Sequence, residues 1–189
     1  MQTYFSSGRI GETLIPAFKA IMTSPSTYFE AMPIAHNYKS SMVLLAIYLL
    51  IPALIISVFR GVATIIFIVP ISVLIGIIGT WLWAWYLGWA ARAFCRVQLT
   101  TVDAFQICAF GAAPLVFSFV PVFGAVAFFW NLYLNWQGLV SHARLGGGAA
   151  LLIILAAFVI LGASLLLLIS LLVYLASQAG MNIPEVQWF

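Results

Sequence analysis

The stretch Val62–Ala91, VATIIFIVPISVLIGIIGTWLWAWYLGWAA, runs 30 residues without a charged side chain, and Arg92 and Arg96 follow it one helical turn apart. A helix needs roughly 20 consecutive apolar residues to cross the hydrocarbon layer of a bilayer. The run therefore reads as a transmembrane helix, and the two arginines mark its cytoplasmic edge. The rest of the chain repeats the pattern. Of 189 residues, 65% are apolar and 6% charged, and the mean hydropathy is +1.18. Apolar stretches this long and continuous exclude the amphipathic helices of a soluble core. The net charge of +3 does not point to a nucleic-acid partner, because the basic residues stand singly at segment ends, where they set topology.

Working outward from that run, the sequence predicts an all-α, polytopic membrane protein with a bundle of five transmembrane helices. The spans are Met42–Phe59, closed by Arg60 and Gly61; Val62–Ala91; Ala104–Val120, short and containing Pro114; Val122–Ser141; and Ala149–Ser177. The second and fifth exceed what the bilayer requires, so they should tilt or project. Pro114 is tolerable inside a span when neighbouring helices satisfy the carbonyl it frees. With the N-terminus in the cytoplasm, Arg9, Lys19, Lys39, Arg92, Arg96 and Arg144 fall inside and only Arg60 falls outside, which accounts for all seven basic residues. The reverse threading inverts that ratio and violates the positive-inside bias. The expected organisation is a cytoplasmic N-terminal arm over residues 1–40, the bundle over 41–177, and an outer C-terminal tail over 178–189. The first 39 residues hold Arg9, Glu12, Lys19, Glu30 and Lys39, which is not the pattern of a secretory signal.

In the arm, Leu14, Ile15, Phe18, Ile21 and Met22 recur at three- and four-residue spacing, with Glu12 and Lys19 off that face. This predicts an amphipathic helix at the membrane interface. Ser24 and Pro25 have the character of an N-cap and first helical residue for a second short helix carrying Tyr28, Phe29 and Met32, which Pro33 ends. Thr100 and Asp103 have capping-box spacing at the start of the third span.

Two stripes stand out within the spans. Gly76, Thr80, Ala84 and Gly88 recur every fourth residue, a spacing that lets helix backbones approach closely. Trp81, Trp85 and Trp89 run beside them and, with Arg92 and Arg96, anchor the interface. Gly111, Pro114 and Gly138 are further expected packing positions. Along the fourth span, Asn131, Asn135 and His142 form a polar stripe with Gly138, and Gln106 and Gln137 are candidate partners. Amides inside a span must find partners. The stripe reads either as interhelical hydrogen bonding or as a polar groove for a lipid headgroup or small solute.

Nothing in the sequence predicts catalysis, a cofactor or a metal. The acids are Glu12, Glu30, Asp103 and Glu185, none of which supplies an intramembrane carboxylate for a proton relay. His142 has no second His or Cys at ligand spacing. Gly146-Gly147-Gly148 lacks the Lys-Ser/Thr of a phosphate cradle. Cys95 and Cys108 do not suggest a disulfide framework.

The stretch Ala109-Phe110-Gly111-Ala112-Ala113-Pro114, the turn Pro121-Val122-Phe123-Gly124 and the series Trp130, Leu134, Gly138-Leu139, His142 resemble elements of the Yip1 family. Ser24-Pro25 followed by Phe29 is similar to the start of its bacterial members. The resemblance covers roughly residues 20–175, and Phe110 stands where the family usually has Tyr. It implies a five-helix integral membrane protein with a cytoplasmic N-terminus, a short outer C-terminus and no known catalysis. Eukaryotic relatives act in vesicle trafficking and bind Rab GTPases through longer cytoplasmic regions. The short arm here resembles the bacterial form and implies the inner membrane of a bacterium, so Rab binding is not carried over. The expected function is a non-catalytic protein that scaffolds or regulates membrane partners or membrane organisation. Its expected partners are membrane lipids and either another membrane protein or a second copy of the chain. The alternative is a lipid- or solute-handling protein, scramblase-like or an auxiliary transporter subunit, that uses the Asn131/Asn135 groove.

Overall fold

A computed structural model describes residues 4–178. Residues 179–189, nearly all of the expected outer tail, lie outside it. The described chain forms helices only: α1 (Ile10–Thr23), α2 (Pro25–Glu30), α3 (Lys39–Arg60), α4 (Val62–Cys95), α5 (Thr101–Gly111), a 3₁₀ turn (Ala113–Phe117), α6 (Pro121–Ser141) and α7 (Gly147–Gln178).

The helices α3 and α4 form a hairpin hinged at Gly61, whose φ of 98° is open to glycine and strained for any residue with a Cβ. Helix α4 then packs along α3 and α5. Helix α5 begins where Thr100 caps it. The Thr100 Oγ1 accepts from the Asp103 amide at 3.1 Å and donates to Asp103 Oδ2 at 2.6 Å. Every residue from Asp103 to Gly111 is buried, so α5 is the central rod against which α3, α4 and α6 lie.

The expected third span, Ala104–Val120, is not one continuous helix. α5 stops at Gly111 and the chain continues as the 3₁₀ turn around Pro114. Pro114 has no N–H to donate, and its ring excludes the carbonyl four residues earlier, so the α-helical ladder cannot pass it. The helix of 11 residues is about 16 Å long. Among the described residues, three helices are long and apolar enough to cross a membrane: Lys39–Phe59, Ile65–Cys95 and Gly147–Leu172. The segment Thr101–Phe117 is apolar but shorter, and Asn131, Asn135 and Gln137 dilute α6.

The N-terminal arm joins this assembly. α1 lies on α2 and the 3₁₀ turn, and α2 lies on α6. Tyr28 and Phe29 of α2 are fully buried. The ring of Phe18 stands 6.0 Å from Tyr48 and 6.2 Å from Phe117. The buried row of α1 is Thr13, Ala17 and Ile21, whereas Ile15, expected on the apolar face, is 73% exposed. Small side chains at 13 and 17 let the α1 backbone come close to its neighbours, so packing selects that row over the more apolar one. Ser24 and Pro25 occupy the N-cap and first positions of α2, but Ser24 makes no side-chain capping bond.

The chain divides into two compact units after Ile153. The first contains everything up to the opening turns of α7, which are held by Trp136 Nε1 donating to the Gly147 carbonyl at 2.9 Å and the Tyr86 hydroxyl donating to the Ile153 carbonyl at 3.0 Å. The second is the remainder of α7, whose Leu165–Leu168 are all exposed apolar side chains.

Candidate functional site

The break at Pro114 determines what the polar stripe of α6 does. Ending α5 leaves its last carbonyls without intrahelical donors. Asn131 Nδ2 donates to the Gly111 carbonyl at 2.8 Å and so caps the broken end of α5 from the neighbouring helix. Asn135 Nδ2 donates back to the Asn131 carbonyl at 2.7 Å. Gln137 Nε2 turns to Ser141 Oγ at 2.9 Å. The partner of Asn131 is therefore backbone rather than Gln106 or Gln137. Asn135 is 1% exposed and Asn131 is half-buried.

Two glycines make that seam possible. A Cβ added at Gly138 would stand 2.4 Å from Ile107 Cγ2, and one added at Gly111 would stand 3.1 Å from Asn135 Nδ2. Hydrogen atoms at both positions bring α5 and α6 close enough for the Asn131 amide to reach across.

On α4 the small stripe meets other helices. A Cβ at Gly76 would press on Leu49 of α3 at 2.6 Å, and one at Gly88 would lie 3.7 Å from Ala104 Cβ of α5. Ala84 is fully buried, and Thr80 donates its hydroxyl to the Gly76 carbonyl at 2.8 Å. Trp81, Trp85 and Trp89 are exposed on the adjacent face. Arg92 Nη1 donates to the Leu99 carbonyl and closes the α4–α5 connection, while Arg96 ends α4 with a left-handed φ of 55°. Cys95 is half-buried and Cys108 is buried, both as free thiols.

A second polar cluster gathers at the Thr100 end of α5. Asp103, 7% exposed, accepts from the Ala35 amide at 3.0 Å through Oδ1 and so ties the arm to the core. His142 ends α6 nearby. Burial pushes its imidazole below the ordinary value of 6.5, and the Asp103 carboxylate and a backbone hydrogen bond with Phe29 act in the opposite direction. Capping-box spacing with Thr100 already marked Asp103, but no sequence signal pointed to Ala35, because that contact joins positions 68 residues apart. Among the described residues, no group of three His, Cys, Asp or Glu side chains could hold a metal.

Among the described residues, four buried side-chain polar atoms have no hydrogen-bond partner: the Tyr28 and Tyr48 hydroxyls, Gln106 Oε1 and Asn135 Oδ1. The ring of Tyr28 lies 5.6 Å from Phe110, the position where a Tyr was expected from resemblance. Lone acceptors in a helix core are tolerated less readily than in water, so these atoms mark the least satisfied part of the bundle.

Comparison with family models gives a match to the Yip1 domain over residues 19–184. Comparisons with curated proteins and with solved structures gave no match. The matched region begins in α1 and takes in the Pro114 break, the Asn131 cap and three helices of membrane-spanning length. On that extent of agreement, the chain is an integral membrane protein belonging to the Yip1 domain family.

Proposed function

We propose that the protein is a non-catalytic membrane scaffold, which holds a partner membrane protein or a second copy of itself and thereby organises its membrane. The observation that carries this reading is the Asn131–Gly111 bond across the α5–α6 seam. The Asn131 amide, which could have lined a solute path, is taken up in joining α6 to α5, those of Asn135 and Gln137 bond within α6, and the Trp face of α4 remains exposed. Such a face, apolar and aromatic, suits lipid or a partner helix. A photo-crosslinking amino acid at Trp85 in native membranes should give a discrete protein adduct, to one partner or to a second copy. Adducts to lipid alone would end the scaffold reading.

The topology that accompanies this function has five crossings in a bacterial inner membrane, with the N-terminus cytoplasmic. Helix α5 and its 3₁₀ turn form the third crossing. The α5–α6 hairpin begins and ends on one side, so the placement of Arg92, Arg96 and Arg144 inside supports the same orientation along its whole length. A membrane-impermeant maleimide applied from outside should label Ser118→Cys, and labelling only from the cytoplasmic side would reduce the crossings to three.

A further inference from the structure

The connection between α1 and α2 is polar, and it stands partway down the bundle rather than at its end. Lys19, Thr23, Ser24, Ser26 and Thr27 are all exposed. Their height follows from what the neighbouring apolar side chains touch. Ile15 and Phe18 line one cavity with Tyr48 and Ile51 of α3. The ring of Phe18, beside Lys19, is 6.0 Å from that of Tyr48. Met22, beside Thr23, lines a second cavity with Val126 and Trp130 of α6. Helix α3 ends at Arg60, nine residues beyond Ile51, which is about 14 Å along its axis. Helix α6 starts at Pro121, nine residues before Trp130, again about 14 Å. Two separate helices thus place the polar turn about 14 Å from their far ends.

Below that level the flank is apolar. Ile51, Leu54 and Val58 follow Ile47 at spacings of four, three and four, which keeps them on one face of α3. Val122, Phe123 and Val126 are exposed at the start of α6. Helix α4 differs: it exposes apolar side chains from Ile65 to Trp89, about 36 Å along its axis. A hydrocarbon layer is about 30 Å thick. Helix α4 accommodates all of it, whereas the flank beneath the turn has room for about half. A charge within that layer is costly. Lys19 can raise its ammonium by the length of its own stem, but the short hydroxyl side chains of Thr23, Ser24, Ser26 and Thr27 have no such reach. Where the apolar height of a protein is short, the bilayer adapts by thinning.

We propose that the bilayer is thinned along the flank formed by α1, α3 and α6, to about half its ordinary hydrocarbon thickness. The phospholipid headgroups of the cytoplasmic leaflet are drawn down to the α1–α2 turn and solvate its ammonium and hydroxyls. The inference requires that α3 cross the membrane. It depends neither on the scaffold reading nor on whether α5 and α6 cross, so failure of either leaves it standing.

The test measures depth with nitroxide probes, from their relative collision rates with oxygen and with a water-soluble nickel complex. Single cysteines are placed in the full chain carrying Cys95→Ser and Cys108→Ala, in liposomes of phosphatidylcholine and phosphatidylglycerol. Three exposed positions serve: Ile15→Cys at the level of the turn, Val58→Cys near the far end of α3, and Leu74→Cys on α4. Leu74 shares the height of Ile51, because a Cβ at Gly76 would press on Leu49 and the two helices run in opposite directions, two residues from that contact to each position. The Ile15 and Val58 probes should both lie within about 5 Å of the headgroups, and the Leu74 probe about 12 Å or more below them. Equal depths at Ile15 and Leu74 would overturn the thinning. So would a deep Val58 probe with a shallow Ile15 probe, which would mean a bundle displaced outward in a bilayer of ordinary thickness. Lys19→Leu combined with Ser26→Leu, both at exposed positions, should let the Ile15 probe sink by about 5 Å, while an unchanged Leu74 depth reports an intact fold. An Ile15 probe that stays shallow in that variant would overturn the part assigned to the turn.

Discussion

Replacing Gly138 with Ala should destabilise the bundle through a single neighbour, Ile107. The new Cβ would fall 2.4 Å from Ile107 Cγ2 and 3.4 Å from its Cβ. Ile107 is fully buried, and as a β-branched residue in a helix it has essentially one χ1 rotamer. The clash therefore cannot be relieved by swinging the side chain away and must push α5 from α6. Overpacking of this kind costs about 1–3 kcal/mol. Alanine returns about 1 kcal/mol of helix propensity, leaving a net loss of up to about 2 kcal/mol. For a chain of this size that corresponds to a fall in melting temperature of up to about 8 °C. The decisive measurement is a double-mutant cycle in detergent, followed by thermal unfolding. In an Ile107→Ala background the obstructing methyl is absent, so Gly138→Ala should become neutral or stabilising. The coupling between the two sites should then be of the order of 1–3 kcal/mol. The same effect of Gly138→Ala with and without Ile107 would refute the close-approach account of the seam. Gly76→Ala is the contrast: its Cβ meets Leu49 Cδ1, the far end of a flexible side chain, and should cost less.

Further outcomes follow from other parts of the structure. Asn131→Leu removes the cap on the Gly111 carbonyl and should lower stability by about 0.6 kcal/mol, the typical worth of an interhelical bond in a membrane protein; no fall in unfolding temperature would mean that the Gly111 carbonyl does not need it. Thr100→Val removes the cap of α5 and should cost about 1 kcal/mol, whereas Asp103→Ala keeps the backbone amide that donates to Thr100 Oγ1 and should instead loosen the arm, read as faster proteolysis around Ala35 than in Thr100→Val. The lowered value of His142 means that the unfolded chain binds the proton more readily than the folded one. Its contribution to stability is thus complete above the ordinary value of 6.5 and declines as pH falls below it toward the lowered folded value. Melting temperature in detergent should drop between pH 8 and pH 5.5 more in wild type than in His142→Gln, and identical pH profiles would remove His142 from the account.

The sequence by itself determined that this chain belongs in a bilayer, because the length of an apolar run and the absence of charge act through solvent transfer and need no knowledge of neighbours. It also gave the ends of the long helices to within a few residues, since Gly61, Arg92 and the Thr100 cap act locally. The resemblance carried by Gly111, Pro114 and Gly138 pointed to the family for the same reason: those residues fix backbone conformation and approach. Only the tertiary structure decided how far α5 runs and what becomes of the carbonyls it leaves behind. Pro114 was visible, but whether it kinks a helix or ends it depends on whether a donor such as Asn131 stands within 3 Å, and that depends on Gly138 and Gly111 letting two helices touch. The buried row of α1 was decided in the same way. Its hydrophobic pattern marked Leu14, Ile15, Phe18, Ile21 and Met22; Ile21 is fully buried, Leu14, Phe18 and Met22 are half-buried, and the rest of the buried row is Thr13 and Ala17, because close packing is filled by the side chains that fit it rather than by the most apolar ones.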